Sequence, residues 1–542
     1  ENWGVDLVHD PSHRDWLRRR YEWLKHYDPM RLVVDNSPLH PSFHVETDIV
    51  DYHFYAAIPD NRHAWDRFVD MLADRKPFLF SPEDAVTTGK EPLMCSEFGN
   101  WGLPNPRELA DADGREPWWF ETGHDWGGGV MYPHGMENRF ADWHLDRVFG
   151  TLDDFVVAAQ WQQFRALKYQ IEKLRARPEI AGYVITELTD VHWESNGLLD
   201  MRRNKRVFHE VFHTINSETM IVPEIERTSF WAGEKARIRL KLAHGGGRTL
   251  ERSALMYDLS GCEAASGSIE TPPLHAGTVV DLGDIEIALP DVAAAVSVRL
   301  DFRLGDSSAP ASRAWVDLSL HPRQRDVQRV PVYSPDAAVR EHLVGLGYDV
   351  VGEANAALLI VSTTLDDAIA AHVRQGGRLL LLPETEIPLY PLFPHWQNVQ
   401  VEARAGTPWQ GDWASSFSWL HRAGPFTALP GGPLLDMAFD RVLPTHVISG
   451  ANLHDFHGRV HAGLVVGWIH KPVALAIERG YGKGHFVAST FRLFRDPPGV
   501  DPTATLLLEA LAERAVLGRE LPMEPQDTEA LDVDFTQGRA AG

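Results

Sequence analysis

Hydrophobic and polar positions fall into three successive patterns along the chain, and each pattern predicts a different kind of element. Up to about residue 216, short apolar runs alternate with longer stretches of helical period, as expected for a parallel sheet covered by helices. Trp16 to Tyr27 reads as a helix, Arg31 to Asp35 as a buried strand, and Asp48 to Tyr55 as the next strand. His63 to Leu72 is helical, and Leu93 to Ser96 is a third strand. Phe155 to Arg175 is a long amphipathic helix, and Ile180 to Ile185 closes the series as a strand.

From about Ser217 to His321 a period of two takes over, as in Ala236-Arg-Ile-Arg-Leu-Lys-Leu242 and Ala295-Val-Ser-Val-Arg-Leu-Asp-Phe302. Turn clusters at Gly245-Gly-Gly247 and Gly305-Asp-Ser-Ser308 separate the strands, and the spacing predicts an immunoglobulin-like β-sandwich over 217–324. Strands and helices then alternate again over 325–520. Strands are expected at Arg329–Tyr333, Tyr348–Val351, Ala357–Val361 and Arg378–Leu382, with helices at Asp336–Leu346 and Leu365–Arg374. Together they make an α/β layer domain. The acidic, Gly-Ala-ended tail over 521–542 is expected to be disordered.

Composition narrows the class of function. A length of 542 residues accommodates several domains, each with its own core, and 44% apolar with 24% charged residues is ordinary for globular protein. The formal net charge of −24 argues against a nucleic-acid backbone or an anionic membrane as partner. The two cysteines, Cys95 and Cys262, fall in different regions, which excludes a disulfide framework and leaves no basis for a cysteine metal site. No stretch has the apolar length of a membrane span. The chain opens on Glu1 inside a motif, so the absence of a leader says nothing about compartment.

The candidate chemistry centres on Pro92-Leu-Met-Cys-Ser-Glu97-Phe-Gly-Asn-Trp101-Gly. A strand ends in a carboxylate, Gly99 allows a sharp turn, and Trp101 offers a flat apolar face. An acid beside an aromatic ring suits a sugar site, with the carboxylate facing the anomeric carbon and the ring against the C–H face. The segment from Pro104 to Asp153 is too long for a plain connection and reads as a lid or subsite wall. It carries Trp118-Trp119-Phe120, His124-Asp-Trp126 and Gly127-Gly-Gly129. No Lys-Ser/Thr follows the glycines, so they are not a phosphate cradle. His124 and Asp125 lack a third ligand at suitable spacing, and no metal is expected.

Ser96-Glu-Phe-Gly99 and Glu1-Asn-Trp-Gly4 together resemble glycoside hydrolase family 2 and the wider clan of retaining β-glycosidases on a TIM barrel. The resemblance implies that Glu1 is the acid/base at the end of barrel strand four and Glu97 the nucleophile at the end of strand seven. The strands after Glu1 then count as five to eight, so residues 1–216 would be the C-terminal half of a (β/α)8 barrel. Groups at the strand ends become substrate-binding candidates: Asn36, Tyr52, His53, Tyr55, Trp101, Glu187 and Trp193, with Asp190 beside them and Trp126 from the long segment. Tyr52 or Tyr55 would suit a donor to the nucleophile, though either could equally anchor a strand end, and His53 is more in keeping with a packed or supporting role. At strand eight the family's Trp-x-Leu-x-Asp pattern becomes Thr186-Glu-Leu-Thr-Asp190, so Thr186 stands where a stacking Trp is usual.

The last region resembles the glutamine-amidotransferase-like domain appended to some β-galactosidases, including the Gly480-Tyr-Gly-Lys-Gly484 turn. Neither cysteine lies in it, which excludes amidotransfer and leaves an assembly or scaffold role. The expected function is hydrolysis of a β-galactoside, β-mannoside or β-glucuronide with retention, without metal or organic cofactor. The expected partner is a carbohydrate, with self-association left open. The rival classes are a non-catalytic sugar-binding protein on a degenerate barrel and a purely structural protein. Residues 1–542 alone, lacking the first barrel strands, are expected to be inactive and prone to associate.

Overall fold

The computed structural model describes residues 4–121, 128–260, 262–305, 311–325, 327, 329–393 and 398–518. Its architecture is mixed α/β and multidomain. In the first region three strands, β1 (Val50–His53), β2 (Leu93–Phe98) and β3 (Ile180–Ile185), pair in parallel in that order. The longest helices that accompany them are α1 (Pro11–Tyr27), α2 (Arg62–Ala73) and α3 (Leu152–Arg175). Strand alternation sends Val50, Tyr52, Cys95 and Phe98 outward into a core shared with Trp65, Phe68 and Leu72 of α2 and Leu167 and Ile171 of α3. Helix α3 begins three residues before its apolar period does. Thr151 and Asp154 form a reciprocal capping box that satisfies the first free N–H groups.

Arg31–Asp35 is not a strand of this sheet. The segment runs beside β1, where Asp48 N–H donates to the Val33 carbonyl and, just past the segment, His53 N–H donates to the Pro38 carbonyl, each at 2.9 Å. Side chains take the remaining places. The Val33 N–H donates to the Asp48 carboxylate at 2.7 Å, and Asp35 accepts the Val45 and Glu46 N–H groups at 2.7 and 3.1 Å. Pro38 has no N–H to offer.

The second region is a sandwich of two sheets. One has the order β4 (Thr219–Ile225), β6 (Lys235–His244), β9 (Thr278–Ala288). The other runs β5 (Ser229–Trp231), β11 (Ser312–His321), β10 (Val296–Leu304), β7 (Ser253–Leu259), β8 (Cys262–Thr271). Along β6 the inward Ala236, Ile238, Leu240 and Leu242 enter the core between the sheets, while Arg237, Arg239 and Lys241 face Asp284, Asp281 and Glu224 outside.

In the third region β12 (Val332–Tyr333), β13 (Leu359–Ser362), β14 (Arg378–Leu381) and β21 (Gly484–Ser489) are parallel neighbours. They carry helices α4 (Ala337–Gly345), α5 (Asp367–Gln375) and α6 (Pro502–Leu517). Beyond β21 the sheet becomes antiparallel through β20 (His470–Tyr481) to β18 (His446–Ser449), β16 (Gln400–Ala403) and β15 (Ile387–Pro388). A branch adds β19 (Val460–Val466) and β17 (Ser416–Leu420). Tyr348–Val351, expected as a strand, makes a single bridge between Val350 and Val332, because β12 is only two residues long at that edge.

The long segment after β2 is not a free lid. Trp101, Leu103, Val130, Met136, Phe140 and Phe149 belong to one apolar cluster with Trp419, Trp468 and Phe417 of the third region. First and third regions therefore share a core on the side of the sheet where β1 and β2 end.

Candidate active site

A bulge in β2 aims its acid. The register between β1 and β2 pairs Tyr52 with Cys95 and then skips Ser96, so that His53 stands opposite Glu97. In an unbroken strand Glu97 would share a face with Cys95. With the extra residue both Ser96 and Glu97 line a concavity of about 290 Å³, while Cys95 and Phe98 stay in the outer core. Val34, Asn36, Ser37 and His53 complete its wall. Gly99 follows for a reason other than a turn: a side chain there would lie 2.4 Å from the Thr186 carbonyl, where the end of β3 packs against β2.

Around Glu97 the donors converge. The Tyr55 hydroxyl donates to Glu97 Oε2 at 2.9 Å, and His53 Nδ1 lies 3.2 Å from the same oxygen. Tyr55 is pushed above its ordinary range by burial and by the charge of Glu194, so it remains a neutral donor at any physiological pH. Asn36 is buried; its Nδ2 donates to the Phe43 carbonyl at 3.1 Å, and its Oδ1 has no partner among the described residues. That orphaned acceptor on the wall of the concavity suits a ligand hydroxyl.

The loop after β3 supplies two further carboxyls. Glu187 is pushed up to about 7, first by burial and then by the charge of Asp190. Glu194 is also pushed up to about 7, by burial and then by Glu187 and Glu97. Glu194 contacts the Tyr55 hydroxyl as well, whose one proton already serves Glu97. Asp190 is different in kind. It accepts Gly197 N–H at 2.7 Å, the Ser195 hydroxyl at 3.2 Å and Arg206 at 2.5 Å, all buried, and so anchors the loop rather than facing the cavity.

Several expected residues lie elsewhere. Tyr52 points away from Glu97 into the outer core, edge-on to Phe78 with ring centroids 5.3 Å apart. Strand alternation requires this, since Tyr52 shares its face with Val50, and Tyr55 shares the other face with His53. Trp101 is no sugar platform. It is 1% exposed and packs on Trp413 and Trp468 of the third region, because the chain turns into the shared core directly after Asn100. Trp193 stands at the tip of the loop, 39% exposed, with His192 edge-on at 4.6 Å. Glu1 and Trp126, with His124 and Asp125, lie outside the described residues. Glu194 and Arg206 were not singled out in the sequence, although His192-Trp193-Glu194 repeats the pairing of an aromatic with an acid just past a strand end.

No protein-family model and no curated protein sequence matches the chain. Among solved structures it is similar to a β-D-mannosidase from Dictyoglomus thermophilum, at 15% identity and a TM-score of 0.31, over 44% of this chain and 29% of that one. It is also similar to a "putative beta-galactosidase" from Bacteroides fragilis, at 12% identity and a TM-score of 0.24, over 58% of this chain and 40% of that one. The CARDB domain of PF1109 from Pyrococcus furiosus aligns with 19% of this chain over 84% of its own, at 10% identity and a TM-score of 0.15. The chain thus spans less than half of either glycosidase-named structure.

Proposed function

We propose that the chain carries the nucleophile side of a retaining β-glycosidase site, on half of a TIM barrel followed by an immunoglobulin-like sandwich and an amidotransferase-like domain. The observation that carries this reading is the bulge that turns Glu97 into the concavity, where Tyr55 and His53 meet one of its oxygens. A nucleophilic carboxylate must be ionised, reachable and held in one orientation. The Tyr55 hydroxyl donates to Oε2, and a side chain 30% exposed leaves the acid accessible to a substrate.

Glu97 attacks the anomeric carbon and forms a glycosyl ester as the glycosidic oxygen leaves with a proton. On the family resemblance Glu1 supplies that proton and later takes one from the incoming water. Retention places the two carboxyls about 5–5.5 Å apart. Once Glu97 is esterified its charge is gone, so one cause of the raised proton affinity of Glu187 and Glu194 disappears during the cycle. The orphaned Asn36 Oδ1 accepts a sugar hydroxyl.

The test uses the full-length protein with aryl β-galactoside, β-mannoside and β-glucuronide, and their 2-deoxy-2-fluoro analogues as traps. Turnover of one glycoside, with the matching fluoro-sugar attached to Glu97 in the peptide map, is the expected result. Glu97→Gln should lose on the order of 10⁴-fold or more in kcat. Turnover at the wild-type rate in that variant, or a label on another residue, overturns the assignment. Sugar binding without turnover in the wild type would instead support a non-catalytic lectin-like role.

A further inference from the structure

The concavity beside Glu97 is lined by Val34, Asn36, Ser37, His53, Ser96 and Glu97, and no Lys or Arg is among them. Asn36 is 6% exposed, and its amide can face only one way. Nδ2 donates to the Phe43 carbonyl at 3.1 Å, whereas a reversed amide would set two oxygens against each other. Oδ1 is thereby left on the wall of the concavity, an acceptor with no partner among the described residues. A buried acceptor in this state calls for a donor on whatever fills the space. Ser96 Oγ, on the same wall, is also buried without a partner among the described residues.

Acids gather at the same place. Tyr55 links two of them, since its hydroxyl donates to Glu97 Oε2 at 2.9 Å and meets Glu194 as well. Glu187 enters from the end of β3, where Thr186 N–H donates to the Phe98 carbonyl of β2 at 2.9 Å. Its Oε1 is buried with no partner among the described residues. The charge of Glu97 bears on Glu187 and Glu194, and that of Glu187 bears on Glu194. Asp190 stands apart, with the Arg206 guanidinium 2.5 Å away. Among the described residues no group of three His, Cys, Asp or Glu side chains is placed to hold a metal ion. What suits these acids is an organic cation that brings its own donors. An ammonium offers three N–H groups, and its bonds to carboxylates are about twice as strong as those of neutral partners. In a sugar attacked at C1 by Glu97, the substituent nearest that carboxylate is the one on C2.

We propose that this site takes a β-linked amino sugar, with the protonated 2-amino group received among Glu97, Glu187 and Glu194 and a neighbouring hydroxyl by Asn36 Oδ1. The orientation of the sugar rests on the glycosidase reading, whereas the demand for a cationic donor does not. A hydroxyl in place of the ammonium leaves the acids without a counter-charge, and a site shaped around a donor rejects the analogue that lacks it.

The experiment titrates the full-length protein calorimetrically with methyl 2-amino-2-deoxy-β-D-glucoside, -galactoside and -mannoside, each beside its 2-hydroxy and 2-acetamido counterparts. Turnover of the matching aryl glycosides is followed in parallel. At about pH 7 most of the amine is charged, and acetylation removes the charge while keeping the nitrogen. In one configuration the amino sugar is expected to bind about tenfold tighter than its hydroxyl counterpart, and the acetamide to lose that advantage. Glu187→Gln is expected to cut the ratio of the two affinities about fivefold, and Glu194→Gln serves as the second variant should the first fail to fold. Equal binding of amino and hydroxyl sugars in all three configurations overturns the proposal, as does binding of none of them. A preference that the acetamide shares, or that both variants retain in full, overturns it too. Turnover of a neutral glycoside with no preference for the amine leaves the glycosidase reading standing and removes this one. A preference for the amine without turnover of any glycoside removes the nucleophile assignment and supports the cation site.

Discussion

Glu97 and Glu478 are two among several carboxylates that sit beside imidazole rings. Glu97, at the end of β2, accepts the Tyr55 hydroxyl at 2.9 Å and lies 3.2 Å from His53, with 30% of its side chain exposed. Glu478, on β20, is met by Arg514 at both oxygens and lies 3.2 and 3.5 Å from His461 and His485, with 9% exposed. Burial alone would raise the Glu478 carboxyl, but its contacts with His461, His485 and Arg514 outweigh that and hold it far below the usual carboxylate range. Glu97 has acids as well as Tyr55 and His53 nearby, and burial first, then the mutual charge of the acids, raises the proton affinity of Glu187 and Glu194. Residue types that look alike in a list thus serve different ends. A guanidinium bonds both oxygens of Glu478, with two rings beside it, and makes it a fastener between β20 and α6. Glu97 keeps access to solvent and accepts the Tyr55 hydroxyl, which suits the reacting role proposed for it.

The largest expected effect tests the fastener. Glu478→Gln leaves the Arg514 guanidinium buried without its counter-charge and should cost about 3 kcal/mol of stability, read as a lower urea midpoint at unchanged m. A midpoint equal to wild type would remove the contrast. Next comes the orientation of Glu97. Tyr55→Phe should lower kcat about 10²-fold by removing a preorganised donor, while Tyr52→Phe, whose ring faces the outer core, should leave kcat/KM within about twofold. Equal effects of the two would mean that the strand face is not what selects the donor.

The smallest effect concerns the charges about the pocket. The folded carboxyl of Glu194 stands at about 7 against an ordinary 4.5, so between those values the folded state binds more protons than the unfolded one, and stability falls as pH rises through that window. Glu194→Gln should therefore be more stable than wild type by about 1 kcal/mol at pH 8, after allowance for solvent screening, and equal to it at pH 4. Glu478 works in the opposite direction: its folded value is depressed, so its contribution is complete above the ordinary carboxylate range and is lost on acidification below it. A Glu194→Gln variant with no pH-dependent gain would show that burial and the neighbouring acids do not raise this carboxyl.

Apolar runs and their punctuation located the three strands of the first sheet and the parallel strands of the third region. Ile180–Ile185 is bounded where Pro178 and the change of period placed it, and β6 alternates inward and outward as its residues dictate. Both depend on chemistry within a few residues, which a sequence displays directly. Alternation along β1 also contains the choice between Tyr52 and Tyr55, since each shares a face with residues whose character is plain. Other features needed partners that sequence spacing cannot reveal. Arg31–Asp35 has the composition of a strand, but the Asp48 carboxylate takes its Val33 N–H and its own Asp35 carboxylate takes the Val45 N–H. Trp101 has the look of a sugar platform, but a domain more than three hundred residues away buries it. The bulge at Ser96 is invisible until β1 is laid beside β2, because a bulge is a mismatch between two strands and a property of neither alone. The sequence by itself determined which residues could do chemistry here, since carboxylates, phenols and periodic apolar runs are local facts. Tertiary structure alone decided which of them meet, because facing, burial and charge are set by segments that come together only when the chain has folded.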